Sequence, residues 1–183
     1  KNSKNLKNRE INLVKNTNLI NSIHNLKKWP FIKLFQSQKK LIYLAKYFIG
    51  EDVKNFGAEL FAKPVELGMA SPSHQDNYYW NVDNSKGLTI WISLDKSNSK
   101  NGGVYYFEKS SELGLLEHKP SYAPGSSQKI KYEKVLDYYK KFTPSLKPGD
   151  ALIHNCLIIH GSNRNLSNQP RTGLTVRFIG KSS

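Results

Sequence analysis

From residue 57 onward the chain is a succession of short strand-length runs cut by turn residues, and this pattern constrains the fold more than anything else in it. Residues 88–94 alternate cleanly, with Leu88, Ile90, Ile92 and Leu94 on one side and Thr89, Trp91 and Ser93 on the other. That is the period of a sheet with two chemically different faces. Asn101-Gly102-Gly103 and Lys147-Pro148-Gly149-Asp150 are turns, and each leads into a strand, over 104–107 and 151–160. A further strand is expected over 58–62, ending at Pro64, and a last one over 172–179. Many short strands joined by turns predict a sandwich or barrel. Residues 131–142 read as a short helix or lid.

The first part of the chain has a different rhythm. Phe31, Leu34, Phe35, Leu41, Ile42, Leu44, Ala45, Phe48 and Ile49 recur at spacings of three and four. This predicts one or two amphipathic helices, broken near Gln36-Ser37, that pack on the sheet. Residues 1–28 are polar with scattered aliphatics and read as a helix or extended arm on the outside. The 183 residues suit a single domain, divided into an N-terminal helical region (1–56) and a β core (57–180). The single cysteine, Cys156, excludes an intrachain disulfide and fits a reducing, cytoplasmic setting. No apolar run approaches the roughly 18 to 20 residues of a membrane span, and no signal-peptide pattern is present.

The net charge is +14, from 28 Lys and Arg against 14 Asp and Glu. Such an excess attracts anions. The lysines come with much asparagine and isoleucine, as in Lys1-Asn2-Ser3-Lys4-Asn5, so the excess looks compositional. No nucleic-acid-binding module accompanies it. A small, anionic molecule is therefore the expected partner, and nucleic acid is not.

The chemistry is carried by His74-Gln75-Asp76, by His160 far downstream, and by Arg171 eleven residues later. On a strand, residues i and i+2 share a face, so His74 and Asp76 can reach one metal. His160, read as the end of the strand over 151–160, supplies a third ligand. Two imidazoles and one carboxylate form the facial triad of non-haem Fe(II) oxygenases, with three positions left open. Arg171 opens the last strand, and its planar fork suits the carboxylate of a dicarboxylate co-substrate. Ser162 stands ready to donate a third hydrogen bond. Alone, His-x-Asp is a common accident; the distal His-Gly-Ser and Arg171 make the pattern specific.

These motifs, with residues 87–95, Asn101-Gly102-Gly103, Pro148-Gly149-Asp150-Ala151, His160-Gly161-Ser162 and Pro170-Arg171, resemble the phytanoyl-CoA dioxygenase family, in the family's order over residues 57–180. Residues 1–56 match only as generic N-terminal helices. The resemblance implies a mainly β, double-stranded β-helix (jelly-roll, cupin-like) core with N-terminal α-helices packed outside. It implies an Fe(II)/2-oxoglutarate-dependent dioxygenase that uses O2, hydroxylates a C–H bond and releases succinate and CO2. His74, Asp76 and His160 would hold iron, and Arg171 with Ser162 would hold the distal carboxylate of 2-oxoglutarate. Gln75 and Trp91 match positions lining the co-substrate or substrate pocket, and Lys63 matches a lysine ahead of the iron motif. Asp76 favours hydroxylation, because related halogenases carry a small residue there to admit chloride. The chain departs from the family at Phe107-Glu108-Lys109-Ser110-Ser111, where relatives usually have Pro-Gly-Ser-His.

Other residues are assigned blander roles. His154 is expected beside the metal site or in the core rather than as a fourth ligand. Cys156 reads as a small buried apolar residue, His24 as a surface residue, and His118 as a loop residue. Arg177 shares a strand face with Arg171, where it either closes an ion pair or meets an anionic substrate. Tyr78, Tyr79 and Trp80 line the pocket entrance or pack beneath a lid. Two alternatives remain open from sequence: an inactive metal-binding jelly roll, and an oxygenase acting on nucleic acid.

Overall fold

The computed structural model describes residues 10–83, 86–123 and 126–183. In chain order its elements are β1 (Ile11–Leu13), β2 (Ile20–Ile23), α1 (Pro30–Gln36), α2 (Lys39–Ile49), β3 (Val53–Lys63), β4 (Ser71–His74), α3 (Asn77–Trp80), β5 (Gly87–Ser93), β6 (Val104–Phe107), β7 (His118–Ala123), β8 (Ser126–Ile130), β9 (Lys141–Phe142), β10 (Ala151–Asn155), β11 (His160–Ser162) and β12 (Arg171–Gly180). Short 3-10 turns cover Leu26–Lys28, Ser110–Leu113 and Glu133–Tyr138.

A large sheet runs β1-β2-β3-β12-β5-β10, a smaller one runs β4-β11-β6-β9, and β7 and β8 form a separate pair. Every paired neighbour is antiparallel. The two sheets are the walls of the expected jelly roll. The large sheet has the two faces that the alternation of β5 predicts. Leu88 and Ile90 join Ala58, Leu174, Val176 and Phe178 in a core with Ile32, Ala45 and Ile49 of the helices. Each large aliphatic or aromatic side chain buried there contributes about 1.5 to 3 kcal/mol. The opposite face presents Phe61, Thr89, Trp91, Arg171, Thr175 and Arg177 to an internal cavity.

The helices break where expected, between Gln36 and Lys39. Pro30 opens α1 at a position where its missing N–H costs nothing. Gly50 ends α2 in the left-handed conformation, φ +82°, with its N–H on the Lys46 carbonyl at 2.8 Å. The helical region is narrower than 1–56, however. Residues 11–13 and 20–23 are strands at the edge of the large sheet, and β3 begins at Val53 rather than Ala58. Ser22 and Ile23 pair with Phe61 and Leu60, so the arm extends the core sheet instead of lying on it.

The strand expected over 151–160 is two strands in two sheets. Asn155 Oδ1 accepts the backbone N–H groups of Leu157 (3.1 Å) and Ile158 (2.9 Å). This side-chain turn bends the chain away from β10 and delivers it to β11. The segment 108–111, where the family pattern lapses, has a use here. Ser110 is fully buried, and its Oγ accepts the Ile159 N–H at 2.9 Å, one residue before His160.

Candidate active site

His74 ends β4 and His160 begins β11, and the two stand opposite one another in register. Asp76 lies beyond the strand, in helical conformation (φ −58°, ψ −35°) at the cap of α3. It therefore reaches the site through the start of a helix, not through strand alternation as its i+2 spacing suggested. His74 Nε2 is 4.0 Å and His160 Nε2 is 3.8 Å from Asp76 Oδ1. The three donor atoms all lie within 4.8 Å of one another.

Both imidazoles are oriented by their other nitrogen. His74 Nδ1 is 2.8 Å from the Pro72 carbonyl, and His160 Nδ1 is 3.1 Å from the Ile158 carbonyl. A carbonyl can only accept, so Nδ1 carries the proton and the Nε2 lone pair faces Asp76. Burial holds both histidines down to about 4, helped by a neighbouring imidazole (His160 for His74, His154 for His160) and opposed by the Asp76 carboxylate. They are neutral at ordinary pH, as ligands must be. Burial alone would raise Asp76, but His154, His160 and Arg177 outweigh it and hold the carboxyl well below its usual range. Its second oxygen, Oδ2, accepts a hydrogen bond from Thr89 at 2.8 Å, which leaves Oδ1 turned to the histidines. Two neutral nitrogens and an ionised oxygen, close together but with no hydrogen between them, fit a divalent ion of the iron class.

His154 faces the same carboxylate without joining the triad. Its Nε2 stands 3.6 Å from Asp76 Oδ2, beyond a hydrogen bond, and is buried without a partner. Its Nδ1 meets Tyr106 Oη at 2.9 Å. His154 thus stands beside the triad rather than in it.

The triad lies on the boundary between two compartments. The inner one, about 80 Å³, is lined by Trp91, Ser162, Thr175 and Arg171. Arg171 is 3% exposed and anchored by backbone alone, with Nε on the Gly102 carbonyl (3.0 Å) and Nη1 on that of Phe61 (3.3 Å). Burial lowers it to about 9, against the opposing pull of Asp95. It pairs with neither Asp150 nor Glu108, so its charge is available to a ligand. Its guanidinium sits 5.5 Å above the Trp91 ring. Trp91 can lie there because residue 173 is glycine: a Cβ at Gly173 would fall 2.0 Å from the indole.

Two residues assigned to the pocket are elsewhere. Gln75 is fully buried and acts as a bolt: Nε2 donates to the carbonyls of Gly114 (2.7 Å) and Leu157 (2.6 Å), and Oε1 accepts from Leu116 N–H (2.8 Å). Lys63 is paired across the sheet with Arg171, and its Nζ donates to the Met69 carbonyl. Burial, then the Arg171 charge, push Lys63 down to about 6. Neither lines the cavity. His118 belongs to β7, where its Nε2 accepts the Gln75 N–H at 3.1 Å.

The outer compartment, about 520 Å³ and partly open to solvent, shares His74, Asp76, Phe61 and Arg177 with the inner one. Arg177 Nη2 meets Glu59 Oε2 at 2.5 Å, and Glu59 Oε1 meets His24 Nδ1 at 2.8 Å. His24 Nε2 continues to Ser22 Oγ (2.9 Å), and Ser22 to Asn12 Nδ2 (3.1 Å). Sequence reasoning placed His24 on the surface and missed Glu59 altogether. The signal available was the alternation Gly57, Glu59, Phe61, Lys63 on the inward face of β3.

Known proteins resemble the chain in sequence and in fold. The family model for phytanoyl-CoA dioxygenase (PhyH) matches residues 7–173. A probable alpha-ketoglutarate-dependent hypophosphite dioxygenase of Stutzerimonas stutzeri is 25% identical over 150 residues, which cover 76% of this chain and 50% of that protein. The peroxisomal phytanoyl-CoA dioxygenase of Bos taurus is 24% identical over 147 residues, 76% of this chain and 43% of that protein. The chain thus spans about half the length of the curated relatives it matches. Among solved structures, that of EctD from S. alaskensis with 2-oxoglutarate and 5-hydroxyectoine superposes with a TM-score of 0.81 at 21% identity, covering 98% of this chain and 63% of that one. Among the described residues no helix is long and apolar enough to cross a membrane.

Proposed function

Since this chain belongs to the phytanoyl-CoA dioxygenase family, we propose that it works as one oxygenase domain: an Fe(II)/2-oxoglutarate-dependent dioxygenase that hydroxylates a C–H bond of a small organic molecule with an anionic group. One observation carries this reading. His74 Nε2, His160 Nε2 and Asp76 Oδ1 converge on one point, and Arg171 stands buried in the same cavity with no acidic partner.

Iron with 2-oxoglutarate and O2 supplies an oxidant that can take hydrogen from an unactivated carbon, leaving succinate and CO2. The chain's own residues do the positioning and exclusion. His74, Asp76 and His160 hold the metal, and Thr89 keeps the second oxygen of Asp76 occupied. Arg171, fixed by two carbonyls, takes the distal carboxylate of 2-oxoglutarate through charge-assisted hydrogen bonds, with Ser162 beside it. Trp91 closes one wall and limits water. The substrate enters from the outer compartment, and its anionic group meets Arg177.

Anaerobic titration of the protein with Fe(II) and 2-oxoglutarate tests this. A weak visible charge-transfer band should appear with the wild-type chain and weaken in Arg171→Ala. Iron binding with no band at any concentration of 2-oxoglutarate would defeat the proposal.

A further inference from the structure

The outer compartment offers a substrate two opposite charges rather than one. Arg177 projects from the same face of β12 as Arg171, but its anchor is a side chain, Glu59. Burial would raise the Glu59 carboxyl, yet His24 and Arg177 outweigh it and keep it low. The pair is thus a guanidinium against a carboxylate, with side chains 15% and 18% exposed. Arg177 is not fully used by this contact. Its Nε is buried and has no hydrogen-bond partner, and its guanidinium lies 5.6 Å from the Trp80 ring.

A simple carboxylate that approached Arg177 would also meet Glu59 and lose much of what it gained. A simple amine at Glu59 would meet Arg177. A molecule with both signs side by side completes the arrangement, each charge beside its opposite. An ammonium and a carboxylate on one carbon stand about as far apart as Arg177 Nη2 and Glu59 Oε2. Phe56, Tyr79 and Trp80 of the same compartment present aromatic surface for the rest of the molecule.

Resting on the function proposed above, we propose that the substrate is an α-amino-acid-like zwitterion, its carboxylate on Arg177 and its ammonium on Glu59. Arg177 and Glu59 then set specificity and also aim the molecule at the metal, since His74 and Asp76 form another wall of the compartment.

The test is calorimetric titration of the full chain, without metal and again with Fe(II) and 2-oxoglutarate under nitrogen. The probes are L-norvaline and each of the protein amino acids, compared with pentanoate and pentylamine. At least one amino acid should bind at least about tenfold more tightly than pentanoate or pentylamine, the worth of one charge-assisted hydrogen bond. Glu59→Gln should erase the advantage over pentanoate, Glu59→Asp should restore part of it, and Arg177→Gln should erase the advantage over pentylamine. Thermal unfolding of each variant checks that it is folded. Equal binding of pentanoate and the best amino acid would overturn the zwitterion and leave a plain anion site. Failure of every amino acid, while the Fe(II)/2-oxoglutarate band still forms, would overturn it too. A missing band would instead overturn the oxygenase reading, and the metal-free titration would still decide the zwitterion.

Discussion

Arg171 and Arg177 sit six residues apart on one face of one strand, and they are held in opposite ways. Arg171 is gripped by two backbone carbonyls at 3.0 and 3.3 Å and is almost completely buried. Arg177 is gripped by a carboxylate that reaches it from β3, and that carboxylate is held in turn by a histidine just past β2. Backbone anchors cannot be changed by substitution, whereas side-chain anchors can. On the function proposed above, the inner end of the cavity suits a ligand that never varies, and the outer end one that is selected.

The sharpest way to break this comparison is to remove each arginine in turn. Arg171→Ala should weaken 2-oxoglutarate binding on the order of 100-fold, about 3 kcal/mol for two charge-assisted hydrogen bonds. Arg177→Ala should change it by less than about threefold, because its hydrogen bonds go to Glu59. Titration of the Fe(II) complex followed by its visible band measures both, and equal losses would abolish the distinction. Next in size is the inner wall. Gly173→Ala places a methyl 2.0 Å from the Trp91 ring. It should destabilise the fold by about 1 to 3 kcal/mol, since an overpacked core must shift, and urea unfolding reports it.

The smallest effect concerns Lys63. Its folded value, about 6, lies below the ordinary 10.5, so between those limits the unfolded chain binds a proton that the folded chain does not. Stability should rise with pH across that window and fall as pH drops toward 6. Lys63→Met should flatten the dependence by on the order of 1 kcal/mol between pH 6 and 8. An unchanged slope in the variant would show that Lys63 is not the source.

The cluster of His74, Asp76 and His160 and the buried Arg171 were legible in the sequence because the chemistry fixes residue type and order, and the alternation of β5 gave the two faces of the sheet. What escaped was set by long-range hydrogen bonds. Gln75 sits between His74 and Asp76, yet its partners lie about 40 and 82 residues away, and no local pattern reveals them. The run Cys156-Leu157-Ile158-Ile159 is apolar enough to read as strand, and one asparagine side chain bends it. The pair β7–β8 is polar, carries Pro120 and packs only partly, so it lacks the hydrophobic alternation by which strands are recognised. Strands β1 and β2 were hidden for a similar reason: they are short, and much of their stability comes from joining an existing edge.

The chain of contacts from Asn12 through Ser22 and His24 to Glu59 gives residues 12–24 an unexpected kind of leverage. They hold none of the reactive groups, yet they set the posture of the side chain that holds Arg177. On the function proposed above, divergence in this border of the sheet would reset what the protein accepts while the metal, the co-substrate and the reaction stay as they were. For an engineer it is the place to graft a new preference, and for a lineage it is the place where old chemistry finds new employment.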